Sequence, residues 1–202
     1  MLDRLTLRAG DLEASARFYD TVLAALGFER TASGDERIEW APFALAPAGD
    51  GGPTRRLHIG FRAPSREHVD AFWRAGTEAG YADDGEPGPR TVYGDDYYGG
   101  FLRDPDGNSA EAVHGGHADR GGVIDHIWIR VEDVPAARED YAARALGFAA
   151  DELGAEPGNE EHPLAHFASP VMSFSLVEGE PSERVELEFS PDVSLPPPVQ
   201  RA

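Results

Sequence analysis

With seven histidines and no cysteine, metal chemistry in this 202-residue chain would draw on imidazole and carboxylate groups, and proton transfer on these or on tyrosine. Disulfides, thiolate nucleophiles and thiolate metal sites are excluded. Lysine is also absent, so all 18 basic residues are arginine, which rules out Schiff-base chemistry and a P-loop. The histidines and the 37 acidic residues are therefore the side chains of greatest interest. Imidazole nitrogen and carboxylate oxygen together suit first-row divalent metals such as Fe, Mn, Zn or Ni, and each group can also move a proton. His114 and His117 sit among glycines and read as linker residues. His162 and His166 read as surface or core-edge residues.

The elements that must position these residues recur along the chain. Residues 2–8 alternate apolar and polar in the period of a half-buried strand. Asp11 follows as a helix N-cap, and Leu12, Ala16, Tyr19, Leu23 and Leu26 form one apolar helix face ending at Gly27. Short strands are expected near 28–33, 37–41 and 43–46. A second copy starts at residues 56–62, with Ser65 capping a helix striped by Val69, Phe72, Trp73 and Gly76. Strands are expected near 91–93, 98–103 and 109–113, the last two joined by the turn Asp104-Pro105-Asp106-Gly107-Asn108. In a third copy, residues 124–130 match residues 2–8 at constant offset, Asp133 falls where Asp11 was, and Leu146-Gly147-Phe148 repeats Leu26-Gly27-Phe28. Residues 185–189 begin a fourth copy that stops before its helix, where Pro196-Pro197-Pro198 favours an extended tail.

The expected fold class is therefore α+β, with repeated βαβββ modules: two paired modules, a third, and one strand of an incomplete fourth. The expected boundaries are a complete two-module domain at 1–115, a Gly-rich linker at 116–122, the third module with the fourth's first strand at 123–190, and a Pro-rich tail at 191–202.

Modules of this kind, with Asp104-Pro105-Asp106-Gly107-Asn108 and then Glu111, resemble the vicinal-oxygen-chelate superfamily of glyoxalases, extradiol dioxygenases and bleomycin-resistance proteins. The resemblance implies two modules enclosing one cavity, with metal ligands on the first strand of each module and a Glu on the last strand of the second. In the first domain those positions hold Arg4, His58 and Glu111. Strand alternation places all three on the face opposite the apolar residues. Arginine does not ligate metals, so His58 and Glu111 are the candidate metal and catalytic residues, and Arg4 is expected to pair with Glu111 or hold a substrate carboxylate. Thr6, Arg62, Tyr93, Tyr98, Phe101 and Arg103 are the candidate substrate-binding residues. His126 and Glu186 occupy the equivalent first-strand positions of the second half.

Two functions follow from the resemblance. One is a divalent-metal-dependent lyase or dioxygenase acting on a small oxygenated molecule. The other is a metal-free binding protein of the bleomycin-resistance type, with Arg4 in place of the metal. A net charge of −19 and scattered arginines speak against a nucleic-acid partner. No apolar run is long enough for a membrane span. With residues 1–8 passing straight into a strand pattern, a cytoplasmic location is expected. A third module lacking its partner would expose a strand edge, from which a homodimer is expected.

Overall fold

The computed structural model describes residues 2–116, 122–145, 148–151, 154–156 and 159–189. Most of the glycine-rich linker with His117, Leu146-Gly147, parts of the acidic stretch 151–161, the side chain of His162 and the Pro-rich tail lie outside the described residues.

The first module runs β1 (Leu2–Ala9), α1 (Leu12–Ala24), β2 (Ala32–Ser33), β3 (Ile38–Trp40) and β4 (Phe43–Pro47). The second runs β5 (Leu57–Arg62), α2 (Arg66–Glu78), β6 (Asp83–Pro89), β7 (Tyr98–Arg103) and β8 (Ser109–His114). The third runs β9 (Ile124–Val131), α3 (Val134–Arg144), β10 (Ala149–Ala150), β11 (Gly154–Glu156), β12 (Asn159–Ala168) and β13 (Ser173–Glu178), and β14 (Glu186–Phe189) follows. Asp11 and Asp133 cap α1 and α3 alike, each carboxylate accepting the backbone N–H three residues on at 2.9 Å, a contact that stabilises a helix by about 1 kcal/mol. Ser65 does not cap α2 in this way; its hydroxyl donates to Glu67 instead. The expected strand at 91–93 is a turn, and the strand preceding β7 is β6. Its Asp-Asp-Gly-Glu-Pro-Gly-Pro sequence looks like a loop and is held extended by pairing with β7.

The modules pair differently from the expectation. One sheet has the order β14-β1-β4-β3-β2, and the other runs β10-β12-β13-β9-β5-β8-β7-β6, with β11 joined to β12. Modules two and three therefore share a sheet through antiparallel β5 and β9, and β14 completes the first module by pairing with β1. The two junctions have the same register. Gly60 faces His126 and His58 faces Trp128 in one, while Glu188 faces Arg4 and Glu186 faces Thr6 in the other. Both carry an irregularity at the equivalent residue, Asp125 and Asp3. The third-module strand edge that motivates a homodimer is thus filled within the chain, where β9 lies beside β5. Among the described residues, no helix is long and apolar enough to cross a membrane.

Helices cover one face of each sheet. Leu57, Ile59 and Phe61 of β5, Ile127 and Ile129 of β9, and Leu5 and Leu7 of β1 all point into a core shared with Phe18, Tyr19, Phe72 and Phe174. Each such side chain contributes about 1.5–3 kcal/mol by leaving water. The alternate residues of β5, β8 and β9 then necessarily face the open side.

The Asp104–Asn108 turn ties the halves together. The Asp104 carboxylate accepts hydrogen bonds from the Tyr19 hydroxyl of α1 at 3.0 Å, from the backbone N–H groups of Asp106 and Asn108, and from Asn108 Nδ2. Asn108 Oδ1 accepts the N–H of Leu57 at the start of β5. Burial pushes the Asp104 carboxyl up despite these donors, and it pushes the Tyr19 hydroxyl up as well.

Candidate metal centre

Three adjacent strands build the site. Glu111 on β8, Gly60 on β5 and His126 on β9 form one row across the sheet, and His58 lies two residues along β5 on the same face. Gly60 makes the convergence feasible, since a Cβ there would overlap the His126 ring. Gly99 on β7 does the same for Glu111, whose Oε1 occupies the space a Cβ would fill. An irregularity in β9 opposite Gly60 and Phe61 brings Asp125 round to the side of its neighbour His126, as bulges next to functional sites commonly do.

The three candidate ligand atoms lie at the corners of a nearly equilateral triangle. His58 Nε2 is 3.1 Å from Glu111 Oε2 and 3.1 Å from His126 Nε2, and His126 Nε2 is 3.2 Å from Glu111 Oε2. Ligands on one face of a divalent ion with bonds of about 2.1 Å stand roughly 3.0–3.4 Å apart, so the donor set fits. Glu111 is 1% exposed and His126 6%.

Each ligand is held from behind. The Ser109 hydroxyl donates to Asp84 Oδ2 at 2.7 Å, so it must accept from His58 Nδ1 at 3.1 Å, which leaves the His58 Nε2 lone pair toward the site. Asp125 Oδ1 accepts from His126 Nδ1 at 3.0 Å, and Arg62 steadies Asp125 Oδ2 from 3.5 Å. Tyr97 donates to Glu111 Oε1 at 2.9 Å, leaving Oε2 toward the triangle. Such outer partners orient metal ligands and set their tautomers.

The metal-free electrostatics follow from these contacts. Burial alone would raise the Glu111 carboxyl, but the hydrogen bond from protonated His126 and the adjoining His58 imidazole outweigh it and hold the pKa at about 2. Burial disfavours a charge on His126 as well, and there the hydrogen bonds to Asp125 and Glu111 win, raising it to about 9. Burial lowers His58, aided by the charge on His126 and opposed by Glu111. The buried Tyr97 hydroxyl is pushed up by desolvation and by the Glu111 charge.

Of the residues picked from sequence, His58, Glu111 and His126 come together, although His126 belongs to a different module from the other two. Arg4 does not join them. It lies in the other sheet, 3.1 Å from Glu188 and 3.6 Å from Glu39, and Thr6 and Glu186 lie in that sheet too. The expectation that Arg4 replaces the metal beside His58 and Glu111 is corrected by strand pairing, which puts β9 rather than β1 next to β5. Tyr93, Phe101 and Arg103 line the cavity above the triangle, and Arg103 is bound to Asp84 at 2.6 Å. Tyr98 does not, because alternation along β7 turns Gly99 and Phe101 to the cavity and Tyr98 to α2, where it donates to Asp70. Arg62 supports Asp125 and the Val171 carbonyl behind the site. Tyr97, Ser109, Asp125 and Arg130 complete the surroundings: Tyr97 belongs to the aromatic run before the Asp104–Asn108 turn, Ser109 alternates onto the Glu111 face of β8 and Arg130 onto the His126 face of β9, whereas Asp125 carries no such signal.

The cavity has two adjoining recesses, of about 360 Å³ and 480 Å³, which share Tyr93, Tyr97, His126 and Trp128. The first is rimmed by Arg56, Arg103 and Arg130, and the second by Val92, Leu164 and His166.

Comparison with known proteins agrees with this architecture. Residues 1–112 match the family model described as Glyoxalase/Bleomycin resistance protein/Dioxygenase superfamily. Glyoxalase I from Zea mays superposes with a TM-score of 0.61 at 17% identity, covering 92% of this chain and 71% of that one. A point mutant of the same maize enzyme superposes at 0.65, also at 17% identity, covering 92% and 72%. A glyoxalase/bleomycin resistance protein from Albidiferax ferrireducens is 33% identical over 54% of this chain and 93% of its own, with a TM-score of 0.47. No curated protein matches the sequence.

Proposed function

The chain belongs to the Glyoxalase/Bleomycin resistance protein/Dioxygenase superfamily, and from that premise we propose that it is a metal-dependent enzyme, a lyase or dioxygenase, acting on a small oxygenated molecule in the cavity above His58, Glu111 and His126. The observation that carries this reading is the triangle of ligand atoms from buried Glu111 and His126 and half-buried His58, 3.1–3.2 Å on each side. A divalent ion held there supplies Lewis acidity to vicinal oxygens. The chain's own contribution is orientation and exclusion of water. Ser109 and Asp125 keep both Nε2 lone pairs pointed at one place, and Tyr97 fixes the Glu111 carboxylate. Tyr93, Tyr97, Phe101 and Trp128 wall the cavity, the usual setting in which a small organic ligand is buried. The Tyr97 hydroxyl, held as a donor, keeps its proton at Glu111 Oε1.

Support for the metal-free alternative rested on Arg4 standing in the ligand set, and it stands elsewhere. The test is elemental analysis of protein purified without chelator. We expect one divalent ion per chain in the wild type and in Arg4→Ala, and loss of it in His126→Ala. Wild-type protein that takes up no stoichiometric metal, or a His126→Ala variant that retains it, refutes the reading. An oxygen electrode then separates the two reaction classes, because only a dioxygenase consumes O2.

A further inference from the structure

We propose that the substrate is an amphiphilic carboxylate, its anionic end gripped by Arg130 on the His58 side of the cavity and its apolar end in the recess beside Val92 and Leu164. This rests on the cavity being the substrate site.

The first argument is charge. The chain carries −19, yet the rim of the smaller recess carries three arginines. Two of them are already neutralised, Arg56 by Glu180 and Glu183 and Arg103 by Asp84. The Arg130 guanidinium has no carboxylate or hydrogen-bond partner among the described residues. Its stem lies against Gly179, where a Cβ would come within 3.0 Å of Nη1 and 3.5 Å of Cδ. An unpaired guanidinium at the mouth of a partly apolar cavity favours an anion over a neutral ligand.

The second argument is internal and independent. The β1–β14 junction repeats the β9–β5 junction in register, so Arg8 corresponds to Arg130 and Glu186 to His58. In that half, Arg8 holds the Glu186 carboxylate in two parallel hydrogen bonds, Nε to Oε1 at 2.8 Å and Nη2 to Oε2 at 2.9 Å. An arginine at this strand position therefore reaches back two residues and grips a carboxylate across the strand pair. In the half with the metal ligands, the residue across the pair is an imidazole, and the equivalent guanidinium faces the cavity instead. A carboxylate bound there would sit beside His58.

The third argument is the shape of the rest of the cavity. The second recess is joined to the first across Tyr93, Tyr97, His126 and Trp128, and Val92 and Tyr93 beside it are 51% and 41% exposed. Among the described residues these are the exposed large hydrophobics, and they stand where an apolar substituent would cover them.

The test uses a matched pair of probes, 3-phenylpropionate and 3-phenylpropan-1-ol, titrated calorimetrically into chelator-stripped full-length protein. We expect the acid to bind at least about tenfold more tightly than the alcohol, a difference of about 1.4 kcal/mol. Arg130→Ala should remove that preference and leave the alcohol within about twofold, as a lost charge-assisted contact predicts. Arg130→Lys should retain part of it, and Arg8→Ala should change neither probe. Equal affinity for the two probes, an unchanged preference in Arg130→Ala, or no binding of the acid at about 10 mM overturns the proposal, since a single charge-assisted contact plus ring burial exceeds that threshold. Because the protein is metal-stripped, failure of the metal reading leaves these outcomes intact. Conversely, normal metal uptake with unselective probe binding sinks only the substrate class.

Discussion

Gly60→Ala offers a sharp test of the site, because it adds one methyl group at the centre of the row Glu111–Gly60–His126 without replacing a candidate ligand. The new Cβ would lie 2.8 Å from His126 Nε2 and closer still to Cε1 and Nδ1. Ordinary carbon contacts need about 3.5–4.0 Å, so the imidazole must retreat by roughly an ångström. His126 cannot retreat freely, since Asp125 holds Nδ1 at 3.0 Å and the Tyr97 and His58 rings lie 6.5 and 5.2 Å from it, centroid to centroid. The triangle therefore opens on its His126 corner. Displacing one ligand in this way should weaken metal binding by about 10–100-fold, comparable with the loss of an outer-shell partner, or about 1.4–2.7 kcal/mol. Overpacking should also lower fold stability by about 1–3 kcal/mol. The assay is competition for Zn²⁺ or Co²⁺ against a chromophoric chelator, with urea unfolding of the metal-free protein run in parallel to separate the two effects. The equivalent residue in the other half is Glu188, and Glu188→Ala should leave metal affinity unchanged. A Gly60→Ala protein that binds metal as tightly as the wild type would refute the convergence of His126 on His58 and Glu111.

Further expectations concern the groups around the triangle. Asp125→Asn should cost about 10–100-fold in metal affinity with little change in urea midpoint, because it alters the partner of His126 and not the sheet; equal affinity by the chelator assay would show that Asp125 does not orient the ligand. Arg4→His should leave metal stoichiometry unchanged by elemental analysis, since the β1–β14 sheet offers no counterpart to Glu111 among the described residues; a second equivalent of metal would contradict this. The folded-state pKa of His126, about 9, lies above the ordinary value near 6.5, so its stabilising contribution to the metal-free protein is complete below about pH 6.5 and is lost as pH rises toward 9. Glu111 stays ionised and the lowered His58 stays neutral across that window. Thermal melting should therefore fall from pH 7 to 9.5 in the metal-free wild type and stay flatter in His126→Ala; parallel profiles would refute the assignment. Tyr19→Phe should destabilise by about 1–3 kcal/mol in urea, because buried Asp104 loses one of its donors; no loss would mean that the turn is held without α1.

Much of this protein was legible in one dimension. Strand alternation placed His58, Glu111 and His126 on open faces, because Leu57, Ile59, Ile127 and Ile129 had to face the helices. The matched spacing of Asp11 and Asp133, and of residues 2–8 and 124–130, revealed the modules, since each copy needs the same cap and the same buried stripe. The β6 strand was not legible, because its Gly and Pro residues signal a turn and only β7 holds them extended. Asp125 was equally hidden, since a residue next to His126 in a regular strand would face away from it and an irregularity in pairing turns it back.

What the sequence determined by itself was the module and the ligand types, because local periodicity, capping and side-chain chemistry act within a few residues. What tertiary structure alone decided was the partner of each module. β5 carries the same inward pattern whether it lies beside β1 or β9, so no local signal distinguishes Arg4 from His126 as the third member of the site. That choice is made by long-range pairing: β9 runs antiparallel to β5 with Gly60 opposite His126, and β14 takes the place beside β1. The result is one half with two imidazoles and a carboxylate around a common point, and another in which Arg4 and Arg8 hold Glu188 and Glu186.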